Sequence, residues 1–290
     1  MKFQTLMCLG AAAAFAGAAA HAQTPTRNPV SKIYVADAEG ESQVDIGKKI
    51  SVLAKKAVYK GEGSAIETKA NSNASIVLSN GIGIYFDVST RTLIRGFSQA
   101  PFRPSGSDME DEPSISRTDM YINFGVVGVS TSKMAAGSTL LFDSSLATAE
   151  VHGRQAVFQV GDNLTKISML LGDATIRAGA WDGARQLKGG QQMIIRPGRP
   201  GQANIVEVQD IPDGRLEGQR EWLSERVLAA DSARKLVYFE MLAVSESGAR
   251  ISIFDGEPPP GAKLDIQPVP VAPANPPTEP TVSAANLFSH

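Results

Sequence analysis

The stretch from residue 61 to 197 constrains the fold most, because short β-type runs alternate there with glycine-bearing turns almost without a break. Ser75-Ile76-Val77-Leu78 leads through Ser79-Asn80-Gly81 into Ile82-Gly83-Ile84-Tyr85-Phe86-Asp87. Asn-Gly between two apolar-alternating runs is a strong hairpin signal, since both residue types tolerate positive φ. Similar runs recur over 119–129, 138–142, 149–160 and 165–176, and Gly190-Gln191-Gln192-Met193-Ile194-Ile195 closes the series. The pattern predicts a mainly β protein, with a rolled or two-sheet antiparallel domain over 48–200. Gly81, Gly83 and Gly153 read as turn and bulge positions. No Gly-x-Gly-x-x-Gly or Walker pattern makes them a phosphate loop.

The first 22 residues read as an export signal, so the expected location is periplasmic or secreted. Lys2 supplies a charged start, Leu6 to Ala20 an apolar run, and Ala20-His21-Ala22 a small-x-small cleavage site. The run is short and alanine-rich against the roughly 20 strongly apolar residues a membrane span needs. Cleavage after Ala22 removes the chain's one cysteine, Cys8, and leaves His152 and His290 as the histidines. Disulfides are then excluded, and the fold must rest on its hydrophobic core. The chain has a formal net charge of −2 and no contiguous basic run, which argues against nucleic acid and an anionic membrane surface as partners. No membrane span is expected after cleavage.

Residues 23–47 form a polar lead with one short β-type patch, Ile33-Tyr34-Val35. The loop over 99–117 holds Pro101, Pro104 and Pro113 and the acidic cluster Asp108, Glu110, Asp111, Glu112, so it reads as a surface excursion. A helix plus a hairpin is predicted over 201–257. In the helix, at about 215–234, Leu216, Trp222, Leu223, Arg226, Val227 and Ala230 fall at helical spacing, with Asp213 near its N-cap. Leu236-Val237-Tyr238-Phe239-Glu240-Met241-Leu242 reads as a strand returning at Arg250-Ile251-Ser252-Ile253-Phe254, with a helix continued through Leu242 as the alternative. Nine of the 17 prolines lie within 258–290, and that density predicts a disordered, extended tail.

The strand block resembles the FecR-like domain of bacterial envelope proteins. The residues that carry the resemblance are Glu67-Thr68-Lys69-Ala70-Asn71-Ser72, Ile76-Val77-Leu78-Ser79-Asn80-Gly81 and Phe86-Asp87-Val88-Ser89-Thr90. Later pieces are Ala147-Thr148-Ala149-Glu150-Val151-His152-Gly153, Leu171-Gly172-Asp173-Ala174-Thr175-Ile176 and Leu187-Lys188-Gly189-Gly190-Gln191. Together they cover roughly half the chain. The family usually has Arg-Gly-Thr where this chain has His152-Gly153-Arg154. Regulators of the iron-citrate type carry a cytoplasmic segment and a membrane span before this domain, whereas a cleavable leader stands here. The resemblance therefore implies an exported binding protein linked to envelope signalling, and direct control of a sigma factor is not implied.

No residue pattern points to an enzyme. His152 would need a nucleophile and an orienting acid, and Ser144 and Ser145 lie in no Gly-x-Ser-x-Gly elbow. The acidic cluster lacks the Asp-x-Asp-x-Asp-Gly spacing of a calcium loop, and zinc lacks its thiol and imidazole ligands. No cofactor is expected. The residues best suited to meet a partner are Trp181, in a Gly/Ala/Asp turn, and Phe102, Asp108, Glu110 and Asp111 of the loop. Trp222 reads as core. The expected partner is another envelope protein, met by strand addition or through the loop. The alternative is a structural module associated with peptidoglycan that uses the proline-rich tail as spacer. A third reading, a hydrolase working with carboxylates such as Asp87, Asp108 and Asp111, has little behind it because aromatic sugar platforms are scarce.

Overall fold

A computed structural model describes residues 31–47, 49–100, 111–180, 182–212 and 219–246. The chain begins with β1 (Lys32–Glu39), β2 (Ser42–Ile46), β3 (Lys49–Val52) and β4 (Val58–Lys60). β5 (Ser64–Thr68), β6 (Asn73–Leu78), β7 (Gly83–Phe86), β8 (Thr90–Gln99) and the long β9 (Ser116–Ser130) follow. The second half holds β10 (Thr139–Asp143), β11 (Thr148–Val151), β12 (Gln155–Gly161), β13 (Leu164–Leu171) and β14 (Asp173–Arg177). β15 (Arg185–Lys188), β16 (Gln191–Arg196), β17 (Ile205–Asp210) and the helix α1 (Gln219–Glu246) complete it.

These strands make two open sheets joined through β9. Sheet A runs β4, β1, β6, β7, β9, β12, β13, β16, β17, antiparallel throughout. Sheet B runs β3, β2, β5, β8, β9, β10, β11, β14, β15, and its one parallel pairing is β9 with β10. The first half of β9 pairs in sheet B and the second half in sheet A. Gly125 makes that corner possible. Its φ is +102°, and a Cβ there would lie 2.3 Å from Thr90 Oγ1. The hydroxyl of Thr90 accepts a bond from the Val126 amide at 2.9 Å, which pins the corner.

Strand alternation explains the layers, because every second side chain points inward. Ile33, Val35, Ile76, Ile84, Phe86, Phe158, Ile167 and Met193 of sheet A meet Val44, Ile66, Ile94, Met120, Ile122, Phe142 and Ile176 of sheet B in one core. Phe142 and Phe158 stack across the layers with ring centroids 4.5 Å apart. The mainly β, two-sheet architecture with one helix after the sheets is as the sequence predicts. The sandwich begins before residue 48, since β1 pairs in sheet A and β2 in sheet B, and it continues past 200 into β17.

Two local expectations are corrected. The segment read as the hairpin's first strand, 236–242, is the second half of α1. No glycine or proline interrupts 219–246, and Val237 falls on the face already set by Ala230 and Ala233, where it is buried against Tyr34, Ala36 and Val77. Tertiary packing overrides the β propensity of the Val-Tyr-Phe run. The return strand at 250–254 and the Asp213 cap lie outside the described residues. At the β6–β7 turn only Gly81 has positive φ, at +86°. The Gly81 amide bonds Leu78 O and the Leu78 amide bonds Ile82 O, so Ser79-Asn80-Gly81 is a three-residue loop with its glycine in the left-handed position. Asn80 is fully buried, and its amide donates to Ser116 Oγ and Thr118 Oγ1 of β9.

Candidate partner-binding surfaces

The outer face of sheet A is a seat for α1. Gly83 of β7 and Gly128 of β9 let the helix backbone come down onto the strands. A Cβ on Gly83 would stand 2.2 Å from Ala230 O, and one on Gly128 2.7 Å from Arg226 O. Gly83 is thus a close-approach residue inside a strand, not a turn. Gly153 also serves close approach, with backbone of Gly172 and Asp173 2.4 Å from where its Cβ would be. Leu223 and Val227 pack on Val157 and Ile211 at one end of the seat, and Ala233 and Val237 on Tyr34, Ala36 and Val77 at the other.

Two arginines clasp the helix between those clusters. Arg226 donates from Nε and Nη2 to Asp87 Oδ2, both at 2.8 Å, and from Nη1 to the carbonyl of Trp222. Its guanidinium lies 3.8 Å over the Trp222 ring, which is half-buried and not in the core interior. Burial and then the negative charge of Asp87 push the Tyr85 hydroxyl up to about 12, so it stays protonated and faces Asp87 Oδ1 at 3.5 Å. Arg234 donates to Gly81 O at 2.7 Å and to Ser130 Oγ at 3.3 Å. Burial lowers its affinity for its proton, against the pull of Asp231. Burial also opposes ionisation of Asp231. Hydrogen bonds from Lys235 and Ser130 outweigh it and hold this carboxyl below its ordinary range. Asp87 is therefore structural, a counter-charge for the helix.

Among the described residues the two open sheets leave four edges, and they are not equally protected. β15 carries Arg185 and Lys188, with Arg185 tied to Asp182 at 2.8 Å. β4 has three residues and ends on Lys60, and β3 has four and begins on Lys49. β17 has six residues in unbroken register with β16, no lysine, proline or bulge, and Ile205 and Val208 are 60% and 43% exposed. The Ile211 amide bonds Gly190 O, so by antiparallel alternation the amides and carbonyls of Val206, Val208 and Asp210 point to the free side. Sequence reasoning did not single out β17. The absence of lysine and proline from Ile205-Val206-Glu207-Val208-Gln209-Asp210 was the available signal.

Of the residues singled out from sequence, Trp181, Phe102, Asp108 and Glu110 lie outside the described residues. Asp111 is exposed, in a bridge with Lys133. Its neighbour Glu112 turns inward, accepting the Ala135 amide at 2.8 Å and the Ser116 hydroxyl. His152 sits exposed at a turn, its Nδ1 3.0 Å from Asp173 Oδ1 and its Nε2 3.8 Å from Glu150 Oε1. Ser144 Oγ is engaged by Thr165 and the amides of Leu146 and Ala147. Among the described residues, no group of three or more His, Cys, Asp or Glu could hold a metal ion, and no helix is long and apolar enough to cross a membrane.

No family model and no curated protein matches the chain. Among solved structures it is similar to two crystal structures of a provisionally named anti-sigma factor from Parabacteroides distasonis ATCC 8503. One is 11% identical with a TM-score of 0.36 over 50% of this chain and 59% of that one. The other is 12% identical with a TM-score of 0.38 over 55% and 64%. The match thus spans about three fifths of the length of those proteins.

Proposed function

We propose that this chain is a non-enzymatic, exported, FecR-like binding protein of the bacterial cell envelope, and that it takes an extended segment of another envelope protein onto β17. The observation that carries the reading is the contrast among the four edges. The other three have three or four residues and carry lysine, whereas β17, whose charges are the acids Glu207 and Asp210, presents free amides and carbonyls along six regular residues with apolar side chains exposed on both faces. Strand addition uses such an edge, the backbone supplying affinity and alternate side chains the selectivity. The motif order from Glu67 to Gln191 supports the FecR-like assignment, and the leader-like first 22 residues support export.

The test is in-cell crosslinking with a photoreactive residue at Gln209, followed by mass spectrometry. A captured envelope protein should be lost in Val208→Pro, which removes a donor facing the free side and spares the β16 ladder. Capture that persists in Val208→Pro would overturn strand addition. Capture of wall-associated material alone, lost when 258–290 are deleted, would favour the structural module.

A further inference from the structure

The β17 edge is held at both ends. Just before it, the Asn204 side-chain amide donates to Leu146 O at 3.1 Å and to Ala178 O at 3.3 Å, which ties the strand to segments that follow β10 and β14 in the opposite layer. Just after it, the Ile211 amide donates to Gly190 O at 2.8 Å, and the Ile211 side chain is buried with Val157, Leu223 and Val227. An edge fixed in this way loses little freedom when a strand joins it, so more of the pairing energy survives as affinity. A fixed edge also has a fixed register, and its side chains can select what pairs with it.

Alternation sorts those side chains. Val206, Val208 and Asp210 lie on the core face, beside Ile195, Met193 and Gln191 of β16, and Ile205, Glu207 and Gln209 lie on the outer face. The two acids differ in their surroundings. Glu207 has Arg196 of β16 at 3.7 Å. Asp210 is exposed and makes no ion pair among the described residues. Directly opposite side chains on one face of a sheet stand about 5 Å apart, where unlike charges favour pairing and like charges oppose it. An incoming strand can therefore supply the base that Asp210 lacks. A second β17 cannot, since the strand contains no lysine, arginine or histidine. Two copies paired edge to edge leave Asp210 unmatched in every register, and the register centred on Glu207 sets two glutamates face to face.

We infer that the segment received by β17 runs antiparallel to it and carries a lysine or arginine opposite Asp210, followed at alternate positions by branched apolar residues opposite Val208 and Val206. Sheet A is antiparallel throughout, and antiparallel pairing is the more stable per residue. This selectivity rests on strand addition at β17 as proposed above and names the chemistry by which the edge chooses its partner. The test titrates two fluorescent peptides, Thr-Lys-Thr-Val-Thr-Val-Thr and the same peptide with glutamate for lysine, onto the protein as the cell exports and processes it. The lysine peptide should bind about tenfold more tightly, because a matched charge pair helps and a like pair harms by similar amounts. Raising the salt should narrow that margin. Asp210→Lys should reverse the preference, and Val208→Pro should abolish binding of both peptides. Both positions are exposed, and an unchanged thermal midpoint checks the fold of each variant. Peptides that bind alike and are both lost in Val208→Pro overturn the charge rule and leave strand addition standing. Binding that survives Val208→Pro, or no binding of either peptide, overturns strand addition and the charge rule with it. A free protein that is dimeric and becomes monomeric in Val208→Pro assigns the edge to a second copy, and that also overturns the inference.

Discussion

Sheets A and B turn similar side chains to the shared core and differ in what they turn outward. Sheet A shows Tyr34, Ala36, Val77, Gly83, Gly128 and Val157, and α1 lies on them. Sheet B shows a lattice of charge. Glu67 meets Lys69 and Arg91, Arg91 lies 3.8 Å from Asp45, and Arg95 bridges Asp119 at 2.8 Å and Asp143 while lying over Tyr121. No helix covers this face among the described residues. A sheet face can therefore be finished by a helix that supplies the missing atoms or by side chains long enough to screen themselves, and this protein uses each method once. The difference teaches where the molecule is fragile. A seat cut to a helix backbone tolerates no added atom, whereas a lattice of exposed pairs tolerates most changes.

The largest effect is expected at the seat. Gly83→Val or Gly128→Val places Cβ within 2.2 Å or 2.7 Å of helix carbonyl oxygens, which are backbone and cannot swing aside. The helix must lift, uncovering both apolar clusters beneath it, at a cost above about 4 kcal/mol, beyond the ordinary range for one substitution. Chemical denaturation measures the loss, and limited proteolysis should cut within 219–246. An unchanged melt with α1 protected would break the account of the seat.

The clasp comes next. Arg226→Met keeps the stem over Trp222 and strands the Asp87 carboxylate, whose side chain is 9% exposed. Removing one partner of a buried pair costs about 3–5 kcal/mol, and replacing both with apolar residues can restore most of it. Asp87→Leu/Arg226→Met should therefore be more stable than Arg226→Met alone. If the double variant is the worse of the two, the pair is a source of net stability and not a fitting between helix and sheet. The matched change on sheet B, Arg95→Ala, should cost no more than about 1 kcal/mol, because the arginine is more than one-third exposed.

The same contrast marks what the sequence discloses. Inward faces follow period-2 alternation, so β6, β7, β9, β10 and β16 were legible at nearly their true bounds. So was Arg226, which falls at the spacing of Leu223 and Val227. The seat was hidden because a strand glycine that receives a helix looks locally like a turn glycine, and Gly83 follows a genuine turn at Gly81. The helix length was hidden because Val237-Tyr238-Phe239 has strand propensity, and only its packing partners from β1 and β6 decide otherwise. The β17 edge depends on strand order, which pairs distant segments and leaves no local mark. Lys32 and Lys60 become neighbours only when β1 and β4 pair.

The smallest effect sharpens the comparison most, because one carboxylate on each face is held below its ordinary range. On sheet B a hydrogen bond from Lys69 lowers Glu67, burial works against it, and Arg91 adds to the lowering. On the helix side, Asp231 is lowered by Lys235 and Ser130 in spite of burial. A carboxyl depressed in the folded state adds stability that is present above its unfolded value, 4.5 for Glu67 and 3.8 for Asp231, and is lost as pH falls through the folded value. Glu67→Gln and Asp231→Asn should each flatten the fall in stability below about pH 4, the window in which these carboxyls protonate. Salt separates them. Lys69 and Arg91 are 45% and 33% exposed, so raising the ionic strength should screen the Glu67 contribution. Asp231 is also held by Ser130 of β9 at 3.1 Å and by the largely buried Arg234, so the part those two supply should persist while that of Lys235, 60% exposed, is screened. Equal salt sensitivity in the two variants would mean that α1 does not shield its own clasp, and the distinction between the faces would fail at its electrostatic end.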